Sequence, residues 1–192
     1  GNFLLLFISL ELMTLSLYIL AAYTQKELAS IEAGLKYLVL GSLASAFLVY
    51  GISFVFGTTG ATRFDEVAAR LMSAGDLGKG YAFGILLILT GLCFKISAVP
   101  FQVWAPDVYQ GAPTPVTAFL AIGSKAAGFA LLVRLHLMGL FPAEEIWALL
   151  FLVLSAITLL YGNLGALPQK NFKRLLGYSS IGHAGYMLMG LS

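Results

Sequence analysis

Residues 100–115 read PFQVWAPDVYQGAPTP. Four prolines and one glycine in sixteen residues cannot form a regular helix. Two long apolar runs flank this stretch, Tyr81–Trp104 and Pro115–Gly139. A bilayer core of about 30 Å takes roughly 20 apolar residues in a helix, so each flank is long enough to cross it. The proline-rich stretch therefore interrupts a membrane-spanning pattern where its first span ends. The next span restarts well. Thr114 is placed to cap it, and Pro115 at the first helical position gives up no donor that a helix needs.

Four more runs lie further out, Phe3–Tyr23, Tyr37–Gly57, Ile146–Gly162 and Phe172–Ser192. The 192 residues are 59% apolar and only 10% charged, with a mean hydropathy of +0.91. A soluble domain carries about 25% charged residues. A chain this apolar cannot cover a water-facing surface, which excludes a soluble globular enzyme and a disordered chain. The single cysteine, Cys93, excludes a disulfide scaffold, and a net charge of +2 is too small for nucleic-acid binding. The expected class is an all-α polytopic helical membrane protein. It has six transmembrane helices, one of them broken, and forms a single transmembrane domain over residues 1–192.

Between the second and third runs, residues 63–79 place Phe64, Val67, Leu71 and Met72 at helical spacing among Arg63, Asp65, Glu66 and Arg70. This reads as a short amphipathic helix, lying on the membrane surface or packed on the protein. Gly1 is not a methionine and Ser192 falls inside an apolar run, so both ends are expected to be cuts through a longer polypeptide. No basic segment or cleavage site precedes Phe3, so the first run does not read as a signal peptide. Alternate loops carry Lys26, Lys36, Lys170, Lys173 and Arg174 against Arg63, Arg70, Lys79 and Arg134, which sets no orientation.

A charge at the bilayer centre costs about 2.5–3.5 kcal/mol on insertion scales, so charges inside the spans are functional candidates. Glu11 sits near the middle of the first run, and Lys95 lies in the third. Lys125 follows Pro115 by ten residues, or about 15 Å of helix, close to mid-membrane. His183 lies at similar depth in the last run. Each has a plainer reading. Glu11 and Lys95 can be an ion pair that only fixes packing, and Lys125 can snorkel. His183 can be a core histidine bonded to a neighbouring helix. Lys36, next to Glu32 at the start of a span, reads on position alone as a flanking charge, and His136 beside Arg134 as interfacial.

Desolvation drives carboxylates and ammonium groups toward neutrality, and an opposite charge restores ionisation. Serial Glu and Lys groups across a membrane interior can therefore pass protons. Pro100 has no amide hydrogen and its ring opposes the carbonyl of Ile96, so the helix holding Lys95 is expected to break just after it. The freed carbonyls need protein or water partners and favour a nearby cation. The sequence has no phosphate-binding glycine motif, and its two histidines lie far apart, so no cofactor or metal is expected in this chain.

Lys95–Leu135, KISAVPFQVWAPDVYQGAPTPVTAFLAIGSKAAGFALLVRL, resembles the signature of the antiporter-like subunits of respiratory complex I. The form PDVYQGAPTPVTAF followed by SKAA is most similar to the subunit N branch, called subunit 2 in organelles. Glu32–Ser53 (EAGLKYLVLGSLASAFLVYGIS) and Lys173–Gly190 (KRLLGYSSIGHAGYMLMG) carry the same resemblance. It implies the complex I antiporter-like fold, with this chain resembling the family's fifth to tenth transmembrane helices. It also implies a proton-translocating subunit of an NADH:quinone oxidoreductase, in which Glu11, Lys36, Lys95, Lys125 and the His183 region match the pumping residues. NADH and quinone would be bound by partner subunits, alongside other membrane subunits and the lipid bilayer. The expected place is a bacterial inner membrane, or an organellar energy-transducing membrane. The same fold occurs in multi-subunit cation/proton antiporters and membrane-bound hydrogenases, which stay open as alternatives. Gln102 stands where the family often has histidine, and it cannot titrate.

Overall fold

The computed structural model describes residues 1–74, 77–141 and 144–192. Nine α-helices follow one another among the described residues: α1 Phe3–Ala21, α2 Leu28–Thr59, α3 Phe64–Ala74, α4 Gly78–Ile96, α5 Trp104–Gly111, α6 Thr114–Phe119, α7 Lys125–Leu137, α8 Glu144–Ala166 and α9 Phe172–Met189. A π-helical turn, Leu120–Ser124, joins α6 to α7 into one span. Among the described residues there is no strand, only one isolated bridge between Asn2 and Arg63.

Among the described residues, five helices are long and apolar enough to cross a membrane: α1, α2, α4, the α6–α7 span and α8. The sequence led us to expect six. Lys173, Arg174 and His183 make α9 too polar to qualify by composition. The outward faces confirm the solvent. In α1, Leu4, Leu5, Ile8, Leu12, Leu15 and Ile19 are exposed, while Leu6, Leu10, Leu17 and Ala21 are buried. A helix apolar on its outer face as well as its inner one belongs in lipid or against further apolar helices. The central helix is α4, which is mostly buried, whereas the other four bury well under half of their residues.

Small residues set the helix spacing. A Cβ on Gly51 of α2 would lie 2.6 Å from the carbonyl oxygen of Gly84 on α4. A Cβ on Gly162 of α8 would lie 2.4 Å from the amide nitrogen of Gly182 on α9. In lipid, helix association depends on such close backbone approach.

Helix α4 stops at Ile96, so the break expected just after Lys95 is present. Two other expectations about this region need correction. The stretch after Pro100 is not free of helix, because α5 occupies Trp104–Gly111. Pro106 is tolerated there because it sits in the first turn, where amides have no intrahelical acceptor. Thr114 does not cap α6. It is the first helical residue after Pro113, with no side-chain cap bond. Its neighbour Thr117 instead donates to the Tyr109 carbonyl at 3.1 Å, tying α6 back to α5.

The segment expected over residues 63–79 is helical from Phe64 to Ala74, residues 75 and 76 lie outside the described residues, and Gly78 and Lys79 already belong to α4. Helix α3 buries Phe64, Val67 and Ala68 and exposes Glu66 and Arg70. Phe64 meets Phe3 edge-on at 4.6 Å between ring centroids, and Arg134 lies over the same ring.

The α8–α9 contact gives a stability prediction. Gly162→Val should force the two helices apart and lower stability by about 1–3 kcal/mol, as overpacking does. The measurement is the thermal inactivation midpoint of the membrane-embedded protein, and an unchanged midpoint would mean that the close approach carries no weight.

Candidate functional site

Lys95 is the penultimate residue of α4 and only 2% exposed. Its helix ends in a Schellman arrangement. The Ala98 amide donates to the Cys93 carbonyl at 2.9 Å, and the Ser97 amide to the Phe94 carbonyl at 3.1 Å. Ser97 adopts the left-handed conformation, φ 59°, usually left to glycine at this position. The Phe94 carbonyl receives a second donor, the Trp104 indole N–H at 2.9 Å. The break after Lys95 is therefore present, but it begins at Ser97, three residues before Pro100. The protein itself satisfies the carbonyls of Cys93 and Phe94. Pro100 follows the turn and prevents the helix from resuming.

The lysine head group does not meet Glu11. Lys95 Nζ donates to Thr14 Oγ1 on α1, and Ser45 Oγ on α2 donates to Glu11 Oε1. Thr14 lies one helical turn from Glu11, so acid and lysine face the same strip of α1 with a hydroxyl between them. Among the described residues no Glu11–Lys95 ion pair forms, contrary to the packing-pair expectation. Ser97 Oγ and Gln102 Oε1 are buried nearby in sequence with no hydrogen-bond partner among the described residues.

Lys125 opens α7 directly after the π-helical turn. It is 3% exposed, and its Nζ donates to the Ser180 carbonyl on α9 at 2.8 Å. It does not snorkel. It shares the wall of a cavity of about 620 Å³ with His183, Lys173, Thr117 and Tyr109. His183 is exposed on this wall, and its Nδ1 bonds the Ser179 carbonyl of its own helix at 2.8 Å. The expectation of a core histidine bonded to a neighbouring helix fails here, because α9 turns that face to the open cavity.

Lys36 stands apart from these four. Its Nζ lies 2.6 Å from Asp107 Oδ2 on α5 and 2.7 Å from Glu32 Oε1. The other oxygen of Asp107 accepts from Arg174 on α9, and Arg174 also reaches Gln110 at 3.3 Å. Lys173 donates to the Ala112 carbonyl at 2.6 Å. These groups gather at one end of the bundle, as the alternation of loops requires, while Arg63 and Arg134 lie near Phe64 at the other.

The structure thus brings Glu11 close to Lys95 in register, and Lys125 together with His183. Reading the sequence missed Thr14, Ser45, Ser180, Asp107 and Arg174. Asp107 was detectable, since an acid inside the Pro100–Pro115 stretch needs a cation. The hydroxyls carry no such signal. Among the described residues no group of three or more His, Cys, Asp or Glu is placed to hold a metal.

A family model described as NADH:quinone oxidoreductase/Mrp antiporter, TM, matches residues 1–192. The NADH-quinone oxidoreductase subunit N of Desulforamulus reducens is 52% identical over 191 residues, covering 100% of this chain and 40% of that protein. The chain thus spans about 40% of the length of the curated relatives it matches. Respiratory complex I from Thermus thermophilus contains a chain with a TM-score of 0.83 and 44% identity, over 99% of this chain and 40% of that one. An archaeal membrane-bound sulfane sulfur reductase contains one with a TM-score of 0.90 and 33% identity, over 100% and 39%.

Thr14→Val keeps shape but removes the oxygen that Lys95 uses. It should lower stability by about 1–3 kcal/mol, the range for losing a hydrogen bond to a charged group. Thr14→Ser should recover most of it. Thermal midpoints of the two variants check this, and equal midpoints for Val and wild type would refute it.

Proposed function

The chain belongs to the NADH:quinone oxidoreductase/Mrp antiporter transmembrane family, and from that membership we propose that it is part of a proton-translocating subunit of an NADH:quinone oxidoreductase. The carrying observation is the pair of buried lysines, Lys95 and Lys125, each placed at a discontinuity of its helix. Both donate to neutral oxygens. A hydroxyl oxygen or a carbonyl accepts from an ammonium and from a neutral amine alike. Lys125 can then lose its proton without leaving an uncompensated carboxylate beside it, whereas the charge of Lys95 is balanced against Glu11 across Thr14.

The relay reads from Glu11 to Lys95, then to Lys125 and to His183 at the open cavity, with Lys36 ion-paired at one end of the bundle. Ser97 Oγ and Gln102 Oε1 are buried groups of the kind that ordered water satisfies. Water there would link side chains that do not touch. The break that Pro100 maintains keeps the α4 carbonyl end next to Lys95, where it favours a cation. Electron transfer in partner subunits would shift the charges of this row. We place NADH and quinone on those partners and no redox cofactor in this chain. The protein is read as multi-pass, in a bacterial inner membrane beside other membrane subunits, as one transmembrane domain. Helix α9 would be a sixth span, since it packs along α8 and its polar residues face Asp107 and the cavity. Helix α3 would lie at the membrane surface with its charged face outward.

A second reading, a subunit of a cation/proton antiporter or of another membrane-bound respiratory complex, draws support from the breadth of the family description and the resemblance to the sulfane sulfur reductase. The higher identity to subunit N favours the first. Purification of the native complex with identification of its subunits separates the two.

Lys125→Ala should abolish most proton uptake into inverted vesicles while leaving the amount of assembled complex unchanged. Wild-type uptake would remove Lys125 from the relay. In a double-mutant cycle on uptake, Glu11→Gln and Lys95→Met should be strongly non-additive, because both act on one charge balance across Thr14. Simple additivity would mean that the two sites work independently.

A further inference from the structure

We propose that Asp107 is a positioning residue, a latch through which Lys36 and Arg174 hold helix α5 against α2 and α9, so that α5 fixes the surroundings of both buried lysines at once. The inference rests on the relay reading above and names a residue that the relay does not contain.

Helix α5 has eight residues, Trp104–Gly111, too few to be stable alone. Irregular chain borders it on both sides, from Ser97 to Val103 and at Ala112 and Pro113. It therefore stays in place only through what grips it. Its inner contacts reach both lysines. The Trp104 indole holds the Phe94 carbonyl, one residue before Lys95, and its ring stacks on Tyr37 of α2 at 4.7 Å. The Tyr109 hydroxyl lies 3.2 Å from Ser180 Oγ, and Ser180 is the residue whose carbonyl accepts from Lys125. A shift of α5 would thus disturb the end of the Lys95 helix and the acceptor of Lys125 together.

At the other end of the grip is one carboxylate. Asp107 gives one oxygen to Lys36 of α2 and the other to Arg174 of α9. A single exposed ion pair contributes little, but a carboxylate shared between cations on two separate helices makes a network. Asp107 also lies in the first turn of α5, where an acid suits the helix dipole. The backbones are close as well, for a Cβ on Gly111 would fall 2.2 Å from the Ala29 carbonyl oxygen. Lys36 then works through Asp107 and passes on no proton itself.

The test uses the intact complex in inverted vesicles, with Asp107→Asn, Asp107→Glu and Lys36→Met. Hydrogen exchange of the peptide covering residues 104–112 reports on the latch, and proton uptake per NADH oxidised reports on its consequence. Asp107→Asn should speed exchange roughly ten-fold, as loss of charge-assisted hydrogen bonds does, and should lower uptake per NADH. Asp107→Glu should restore both. Lys36→Met should repeat the Asn result in weaker form, and combining it with Asp107→Asn should add nothing. Unchanged exchange would overturn the latch, and faster exchange with wild-type uptake would overturn the positioning role. Additive effects of the two substitutions would show that Lys36 acts independently and would also overturn it. Should Asp107→Asn block assembly, Asp107→Glu and Lys36→Met carry the same comparison. Wild-type uptake by Lys125→Ala would instead refute the relay, and exchange alone would then judge the latch.

Discussion

A helix that stops inside apolar surroundings must hand its last carbonyls to donors from the same protein. In this chain that demand falls on Cys93 and Phe94, and it is met by the amides of Ala98 and Ser97 and by the Trp104 indole. Much else follows from it. Bringing the indole back to Phe94 requires the left-handed turn at Ser97 and a second short helix beginning at Trp104. Seating that helix requires the bare backbone of Gly111 beside Ala29. The lysine one residue beyond Phe94 is left at a carbonyl-rich helix end, where a cation gains from the helix dipole.

The broad plan was legible because lipid imposes simple rules. Long apolar runs became helices, and the prolines from Pro100 to Pro115 marked an interruption. A break just after Lys95 was legible from Pro100, but the way it is closed was not, because that depends on tertiary partners. Nothing local to Cys93–Ser97 announces a helix end, and glycine would have been the expected signal at position 97. The end exists because Trp104 comes back to satisfy it. Composition alone does not mark α9 as a span for a related reason: its polar residues are answered by Asp107, Ala112 and the cavity. Depth along a run located Lys95 and Lys125 correctly as buried. It did not say which way His183 faces, since periodicity says which residues share a face but not what lies opposite.

The candidate site also shows how few acids are used to hold its lysines. Lys36, half exposed, has two carboxylates, while the fully buried Lys95 and Lys125 have a hydroxyl and a carbonyl. A fixed ion pair defines one charge state, as suits a residue that positions its neighbours. Neutral acceptors tolerate both states and suit a residue whose charge is to change. The chemistry of the partner, more than the lysine itself, separates the two roles.

The π-helical turn at Leu120–Ser124 has a consequence for the geometry of its span. A π turn holds one residue more than an α turn, so it acts as a one-residue insertion and advances the phase of all that follows by about 100°. Helix α6, before it, packs on α1, whereas α7, after it, packs on α4. One unbroken membrane crossing therefore presents two interior faces that are out of register, and no single helical wheel drawn through Thr114–Leu137 describes both. The orientation of Lys125 toward Ser180 is counted from that extra residue. A chain one residue shorter here, with the helix otherwise intact, would aim the lysine along a different wall of the bundle.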